Sequence, residues 1–398
     1  MMGLFGDLDD TIYQDKDVLK EDYQPDEILE REAEIEEYKH ALSDAVFGRT
    51  PDNVFLFGKA GVGKTAVTNY VLTELQAEVD QRDTADDVHI SRVNCNNESV
   101  YSIVRTLTNN LIPPSGDRFP AKGPSKADAF ERLYREMERV GGTHFFVFDE
   151  IDHLSDPDSL LYEFPRARAN SYLEDARVGI IGISNNYTFR NTLSSKVKST
   201  LMEQEISFST YDATELSTIL EHRAERAFVD GACDPSAIQA CAAFAAKDDG
   251  SARQAIDLLL GAGDNAEKNG DGLVTADHVE AIHESVSRGQ LKDKIADQTM
   301  HCQLVLEALA LHQRDTGDTA RTKQVMNRYQ SVARDHNVDP LTTLESIRGH
   351  LDDLNMLGFL LRTEENRGQG GGRSYRWEVD MDIETVIDVR ESIDSTPT

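Results

Sequence analysis

Val54-Phe55-Leu56-Phe57-Gly58-Lys59-Ala60-Gly61-Val62-Gly63-Lys64-Thr65 is an apolar run that breaks into a glycine-rich turn, and Ala66 to Leu75 continues it with helical spacing. Gly58, Gly61 and Gly63 let the backbone curl tightly, so that successive N–H groups and the positive end of the following helix face one anion. In this pattern Lys64 reaches the β- and γ-phosphates of a nucleotide and the Thr65 hydroxyl ligates Mg²⁺. Gly58, Lys59, Ala60, Gly61, Val62, Gly63, Lys64, Thr65 and Ala66 are therefore the expected phosphate cradle, with ATP or ADP and Mg²⁺ as cofactors.

Phe145-Phe146-Val147-Phe148-Asp149-Glu150 reads as a buried strand that ends in two acids. Asp149 is placed to hold the Mg²⁺, and Glu150 to orient or deprotonate the attacking water, because hydrolysis needs both a metal clamp and a water-positioning group. Val178 to Ser184 is a further buried strand with Asn185-Asn186 at its tip. Asn185 either touches the attacking water and the γ-phosphate or is an ordinary turn asparagine.

Strand, phosphate loop, helix, strand, helix, acidic strand is a parallel α/β layout. Tyr23-Gln24-Pro25 leads into it through a charged helix expected over Asp26 to Val46, with Arg31, Glu32 and Glu34 just upstream of the phosphate loop. A Pro/Gly-rich stretch between Leu111 and Ser125 must be loop, either a contact surface or a plain connector. From Thr214 to Ser287 the pattern is helical throughout. Arg253 sits there in a first helical turn, against the helix dipole, either compensated by an anion or simply solvated.

The chain has 398 residues, which allows two or three domains, and a net charge of −31 from 72 Asp and Glu against 41 Lys and Arg. The acids are spread along the chain rather than gathered in one tail. That distribution suits molar salt, where the Debye length shrinks to ~3 Å and self-repulsion is screened, and it points to a halophilic source. No stretch approaches the ~20 apolar residues of a membrane span and no signal-peptide layout opens the chain, so a cytoplasmic protein without a membrane partner is expected. The four cysteines lack paired metal-ligand spacing and read as reduced structural residues.

Thr299 to Val379 reads as three helices and a glycine-tipped hairpin, a winged-helix plan. Leu341, Leu344, Ile347, Leu351 and Leu354 form the apolar stripe of the third helix, which leaves Thr342 and Ser346 facing outward and Arg348 at its flank. Arg362, Arg367, Arg373 and Arg376 concentrate positive charge on the hairpin, where Gly368 and Gly370 to Gly372 lie between the strands. A wing of this kind enters a DNA groove or docks protein.

Together these residues resemble the archaeal origin-recognition and cell-division-control initiators, AAA+ ATPases with a C-terminal winged helix. The resemblance runs from about Val18 to Val379. It rests on Tyr23-Gln24-Pro25 with Arg31-Glu32-Ala33-Glu34, the phosphate loop, Asn94-Cys95, Asp149-Glu150-Ile151-Asp152, Gly182 to Asn185, Gly250 to Arg253 and Gly372-Arg373. It implies an α/β AAA+ P-loop core over 18–212, an all-α lid over 213–290 and a winged-helix DNA-binding domain over 299–380, between a flexible N-terminus (1–17) and a C-terminal tail (381–398). It also implies a sensor-one role for Asn185 and a sensor-two role for Arg253, and places Leu111 to Ser125 near an initiator-specific helical insertion. Double-stranded origin DNA would be read through Arg362, Arg367, Arg373, Thr342, Ser346 and Arg348, with the replicative helicase as partner and self-association on DNA. One departure stands out. The family's Leu-Asp-Pro-Arg-Val segment reads Leu193-Ser194-Ser195-Lys196-Val197 here, so Lys196 holds the arginine-finger position. A lysine keeps the charge and loses the planar bidentate fork, which implies slow hydrolysis and a switch-like use of ATP. Rival readings are a DNA-binding AAA+ regulator of a plasmid or of transcription, and a AAA+ protein remodeller.

Overall fold

The computed structural model describes residues 11–82, 87–365 and 374–394, and the chain divides into Met1–Glu280 and Ala281–Thr398. The first unit is laid out as α1 (Glu32–Val46), β1 (Val54–Phe57), α2 (Lys64–Asp80), β2 (Val88–Asn94), α3 (Val100–Leu111), α4 (Lys126–Val140) and β3 (Thr143–Asp149). Then come α5 (Pro157–Arg166), β4 (Arg177–Ser184), α6 (Phe189–Thr192), α7 (Ser195–Leu201) and β5 (Gln204–Ser207). The strands form one sheet in the order β2-β3-β4-β1-β5, every pairing parallel. Because crossover helices cover both faces of such a sheet, its strands read as continuous apolar runs. Phe55, Phe146, Phe148 and Phe164 are fully buried in one core cluster, each contributing roughly 1.5–3 kcal/mol by leaving water. The register sets Asn94 opposite Asp149 and Phe57 opposite Ser184, so the phosphate loop and the acidic strand end on the same edge of the sheet.

A helical subdomain follows within the same unit: α8 (Ala213–Ala227), α9 (Pro235–Asp248), α10 (Ala252–Asn269) and the start of α11 (Ala276–Ala296). Local sequence fixes the ends. Asp212 and Glu215 form a capping box on α8, Asp234 caps α9 ahead of Pro235, and Ser251 caps α10.

Two expectations about the N-terminal region change. The charged helix starts at Glu32, not Asp26, because Glu30 takes a left-handed backbone (φ 61°) and Arg31 lies outside the helical region. Residues 11–17, expected to be loose, are packed on the helical subdomain, while 1–10 lie outside the described residues. Tyr13 is buried and stacked on Phe228 with ring centroids 5.0 Å apart, and its hydroxyl donates to Asp264 at 2.8 Å. Gln14 and Asp15 amides both donate to the Ala227 carbonyl, closing the end of α8.

The second unit holds α12 (Met300–Thr316), β6 (Ala320–Arg321), α13 (Thr322–Asp335), α14 (Leu344–Met356), β7 (Leu360–Glu365), β8 (Ser374–Val379) and α15 (Ile383–Asp394). The strands pair antiparallel in the order β6-β8-β7, and Trp377 on β8 is fully buried with its indole N–H donated to Thr322. Three helices and a hairpin are present as read, but 383–394 is a helix rather than a tail. Val386, Ile387 and Val389 on α15 are buried in the unit's core with residues of α12. The third helix begins at Leu344, capped by Thr343, so Leu344 is 47% exposed and the buried stripe is Ile347, Leu351 and Leu354. No helix among the described residues is long and apolar enough to cross a membrane.

Candidate functional site

The loop after β1 takes the shape its glycines allow. Gly63 precedes α2 with φ +93°, and Gly61 has φ +76° where an added Cβ would lie 2.0 Å from the Ser251 hydroxyl oxygen. Both positions need a residue free of the left-handed penalty. The Ala252 amide also donates to the Gly61 carbonyl at 3.0 Å, so the start of α10 is tied by its backbone to the phosphate loop.

Within this cradle the Lys64 ammonium is nearly buried and donates to Gly58 O at 2.9 Å, Lys59 O at 2.7 Å and Asn185 Oδ1 at 2.9 Å. Burial lowers its pKa to about 8, partly opposed by the nearby Asp149 and Asp152. Thr65 Oγ1 donates to Asp149 Oδ2 at 2.9 Å, and burial holds Asp149 above the usual carboxylate value. Glu150 is forced into a left-handed backbone (φ 53°, ψ 41°), and its amide donates to Asp149 Oδ1 at 3.0 Å. A non-glycine residue in this region stores strain that surrounding structure must hold; here the strain sits on the acid at the strand tip.

These groups open into a cleft of about 910 Å³. Ala60, Gly61, Gly63, Lys64, Thr65, Ala66, Asp149, Glu150, Asn185 and Arg253 all line it, as does the Tyr23-Gln24-Pro25 segment. Gly58, Lys59 and Val62 do not line it: Gly58 and Val62 are buried, and the exposed Lys59 side chain pairs with Asp249 at 3.1 Å. Arg253 pairs with Glu21 at 3.1 Å and is more than half exposed. Lys196 does not line the cleft of its own chain. It projects from α7 with its ammonium 3.9 Å from the Tyr162 ring centroid.

Several residues outside the phosphate loop and the acidic strand also shape the cleft. Arg31 is 2% exposed, donates to the Val62 and Ser209 carbonyls, and lies 3.6 Å from the Tyr211 ring centroid, bracing the loop from behind. Tyr23 is held by Arg223 over its ring at 4.5 Å and by Arg226, which donates to its hydroxyl at 3.1 Å. Ser251 is buried against Gly61.

In the second unit, Arg362 and Arg348 both reach Asp352, at 2.8 and 3.8 Å. Ser346 shares a 2.7 Å hydroxyl hydrogen bond with Thr343, and Thr342 precedes the helix cap rather than lying on the helix. Arg376 donates to Thr319. Arg367 and Arg373 lie outside the described residues.

Residues 48–187 match an AAA domain, 217–284 the Cdc6 AAA+ ATPase-type lid domain, and 293–389 the CDC6 C-terminal winged helix domain. An ORC1-type DNA replication protein of Halobacterium salinarum is 46% identical over 94% of each chain. One of Haloarcula marismortui is 39% identical, covering 97% of this chain and 92% of the relative. Among solved structures, the Aeropyrum pernix ORC1 protein in complex with DNA is 32% identical, with a TM-score of 0.65, over 96% of this chain and 97% of that one.

Proposed function

The chain belongs to the ORC1-type DNA replication protein family, and from that premise we propose that it is a replication initiator. It binds ATP in the core–lid cleft and duplex origin DNA through its winged helix, and it uses slow ATP hydrolysis as a switch for recruiting the replicative helicase. It works in the cytoplasm of a cell at molar salt and self-associates on DNA. The observation that carries the nucleotide half is the convergence of Lys64, Thr65, Asp149 and Asn185 at the lip of one cleft.

The donor set fits a hard divalent cation, since the Thr65 hydroxyl and the Asp149 carboxylate already meet through oxygen at 2.9 Å. Thr65 and Asp149 would hold Mg²⁺, which when bound would supply positive charge against the phosphates. Lys64 adds a second positive charge, and the backbone amides after Gly61 receive the phosphate oxygens. Glu150 takes a proton from water as its oxygen bonds to the γ-phosphorus and the bond to the β–γ bridging oxygen breaks. Asn185 orients that water, and Arg253 exchanges Glu21 for phosphate.

Lys196 does not line its own cleft and lies over the Tyr162 ring, so its action on nucleotide falls on one held by another copy. As a point charge it supplies less than an arginine fork, which supports slow turnover. Single-turnover hydrolysis with and without duplex DNA tests the reading: an ATP-bound state that outlasts DNA binding is expected. Fast multiple turnover independent of DNA would remove the switch.

A further inference from the structure

Two guanidiniums of the winged domain share one ring and one carboxylate. Arg362, from β7, and Arg348, from α14, lie 4.8 and 5.1 Å from the Tyr375 ring centroid. Asp352, one helical turn after Arg348, accepts from Arg362 Nη1 at 2.8 Å and lies 3.8 Å from Arg348 Nε. All three side chains are 40–52% exposed. A shared carboxylate recurs on the neighbouring strands, where Glu365 lies between Arg321 at 2.8 Å and Arg376 at 3.6 Å. Four guanidiniums thus share two carboxylates, in a chain with 72 acids to 41 bases. Exposed pairs of this kind contribute little to stability. An excess of arginine, stacked and solvent-reachable, instead suits an anionic guest.

We propose that Asp352 is a built-in counter-anion for DNA binding: it occupies Arg348 and Arg362 in the free protein and yields them to backbone phosphates of the duplex. The inference rests on the DNA-binding reading of the winged domain. Its consequence is thermodynamic. An arginine that meets phosphate ordinarily competes with salt for the condensed counterions, and affinity falls by about 0.9 log units per log unit of salt for each contact. Here salt also weakens the competing Arg–Asp352 pair through screening. The two dependences oppose one another, so affinity declines less steeply as salt rises. A protein whose bulk charge repels DNA gains most from such cancellation, because it retains binding in the salt that its acidic surface requires.

The test is the slope of log affinity against log [KCl], read by anisotropy of a fluorescein-labelled mixed-sequence duplex with the full chain and ATP. Asp352→Asn is expected to bind more tightly at the low end of the series and to steepen the slope by up to about 0.9 for each arginine released. Asp352→Glu, which keeps the charge, is expected to retain the wild-type slope, and circular dichroism at each KCl concentration verifies folding. Equal slopes for folded wild type and Asp352→Asn would overturn the inference while leaving DNA binding intact. Absence of duplex binding by folded wild type would instead overturn the DNA reading and the inference with it.

Discussion

The Lys64 ammonium donates to the Asn185 side-chain oxygen at 2.9 Å, joining the phosphate loop after β1 to the tip of β4. With Gly58 O and Lys59 O it satisfies all three donors of the ammonium, so an arriving phosphate must displace at least one acceptor. Asn185 is then free to turn toward water. Asn185→Ala is expected to keep ATP binding within a few-fold and to lower turnover about 10²-fold, whereas Lys64→Ala should lose binding. Calorimetry and single-turnover kinetics separate the two; equal loss of binding in both would deny Asn185 a role in the chemical step.

Glu150→Gln should bind ATP like wild type and hydrolyse it roughly 10²- to 10⁴-fold more slowly. The left-handed backbone at Glu150 fixes where the carboxylate emerges, so the amide isostere changes charge without changing placement. Unchanged single-turnover hydrolysis would remove Glu150 as the base.

The depressed Lys64 predicts a proton linkage. An unfolded lysine titrates near 10.4, and the folded one near about 8. Between these values the unfolded chain binds more protons, so nucleotide-free stability rises with pH across that window. Below about 8 both states are protonated and the desolvation penalty is fully present. A bound triphosphate restores the charged form, so ATP binding should take up a proton above that pH. Titration calorimetry in two buffers of different ionisation enthalpy should show it, and identical apparent enthalpies would contradict it.

Gly61→Ala combines a left-handed φ with a Cβ 2.0 Å from Ser251 Oγ. A destabilisation of about 1–3 kcal/mol is expected, with weaker ATP binding because the Gly61–Ala252 tie must open. A thermal melt with and without ATP checks it; a wild-type ligand-induced shift would show that the tie does not matter.

Lys196→Arg should raise ATP turnover at high protein concentration by roughly tenfold or more, and Lys196→Ala should leave the slow rate nearly unchanged. Robust turnover by wild type that Lys196→Ala abolishes would contradict the slow-switch account.

The phosphate loop, the acidic strand and the parallel core were legible because their chemistry is local: glycines where the backbone must curl, an apolar run where a strand is covered on both faces. The winged plan was legible from one helical stripe and a glycine tip. What escaped depends on distant partners. Tyr13 is unremarkable until Phe228 and Asp264 surround it, and α15 is too charged to announce that Val386, Ile387 and Val389 complete a core. Arg31 was legible as part of the family segment ahead of the loop, but not as its brace, since that role comes from the Val62 carbonyl and from the Ser209 carbonyl and Tyr211 ring after β5.

The central claim is most directly tested by retaining genomic fragments on the purified protein in multimolar KCl with ATP, and sequencing them against a Lys64→Ala control. Enrichment of one or a few intergenic sites bearing repeats, reduced in the control, is the predicted result. Uniform or absent retention by folded, ATP-binding protein would contradict an origin-binding initiator.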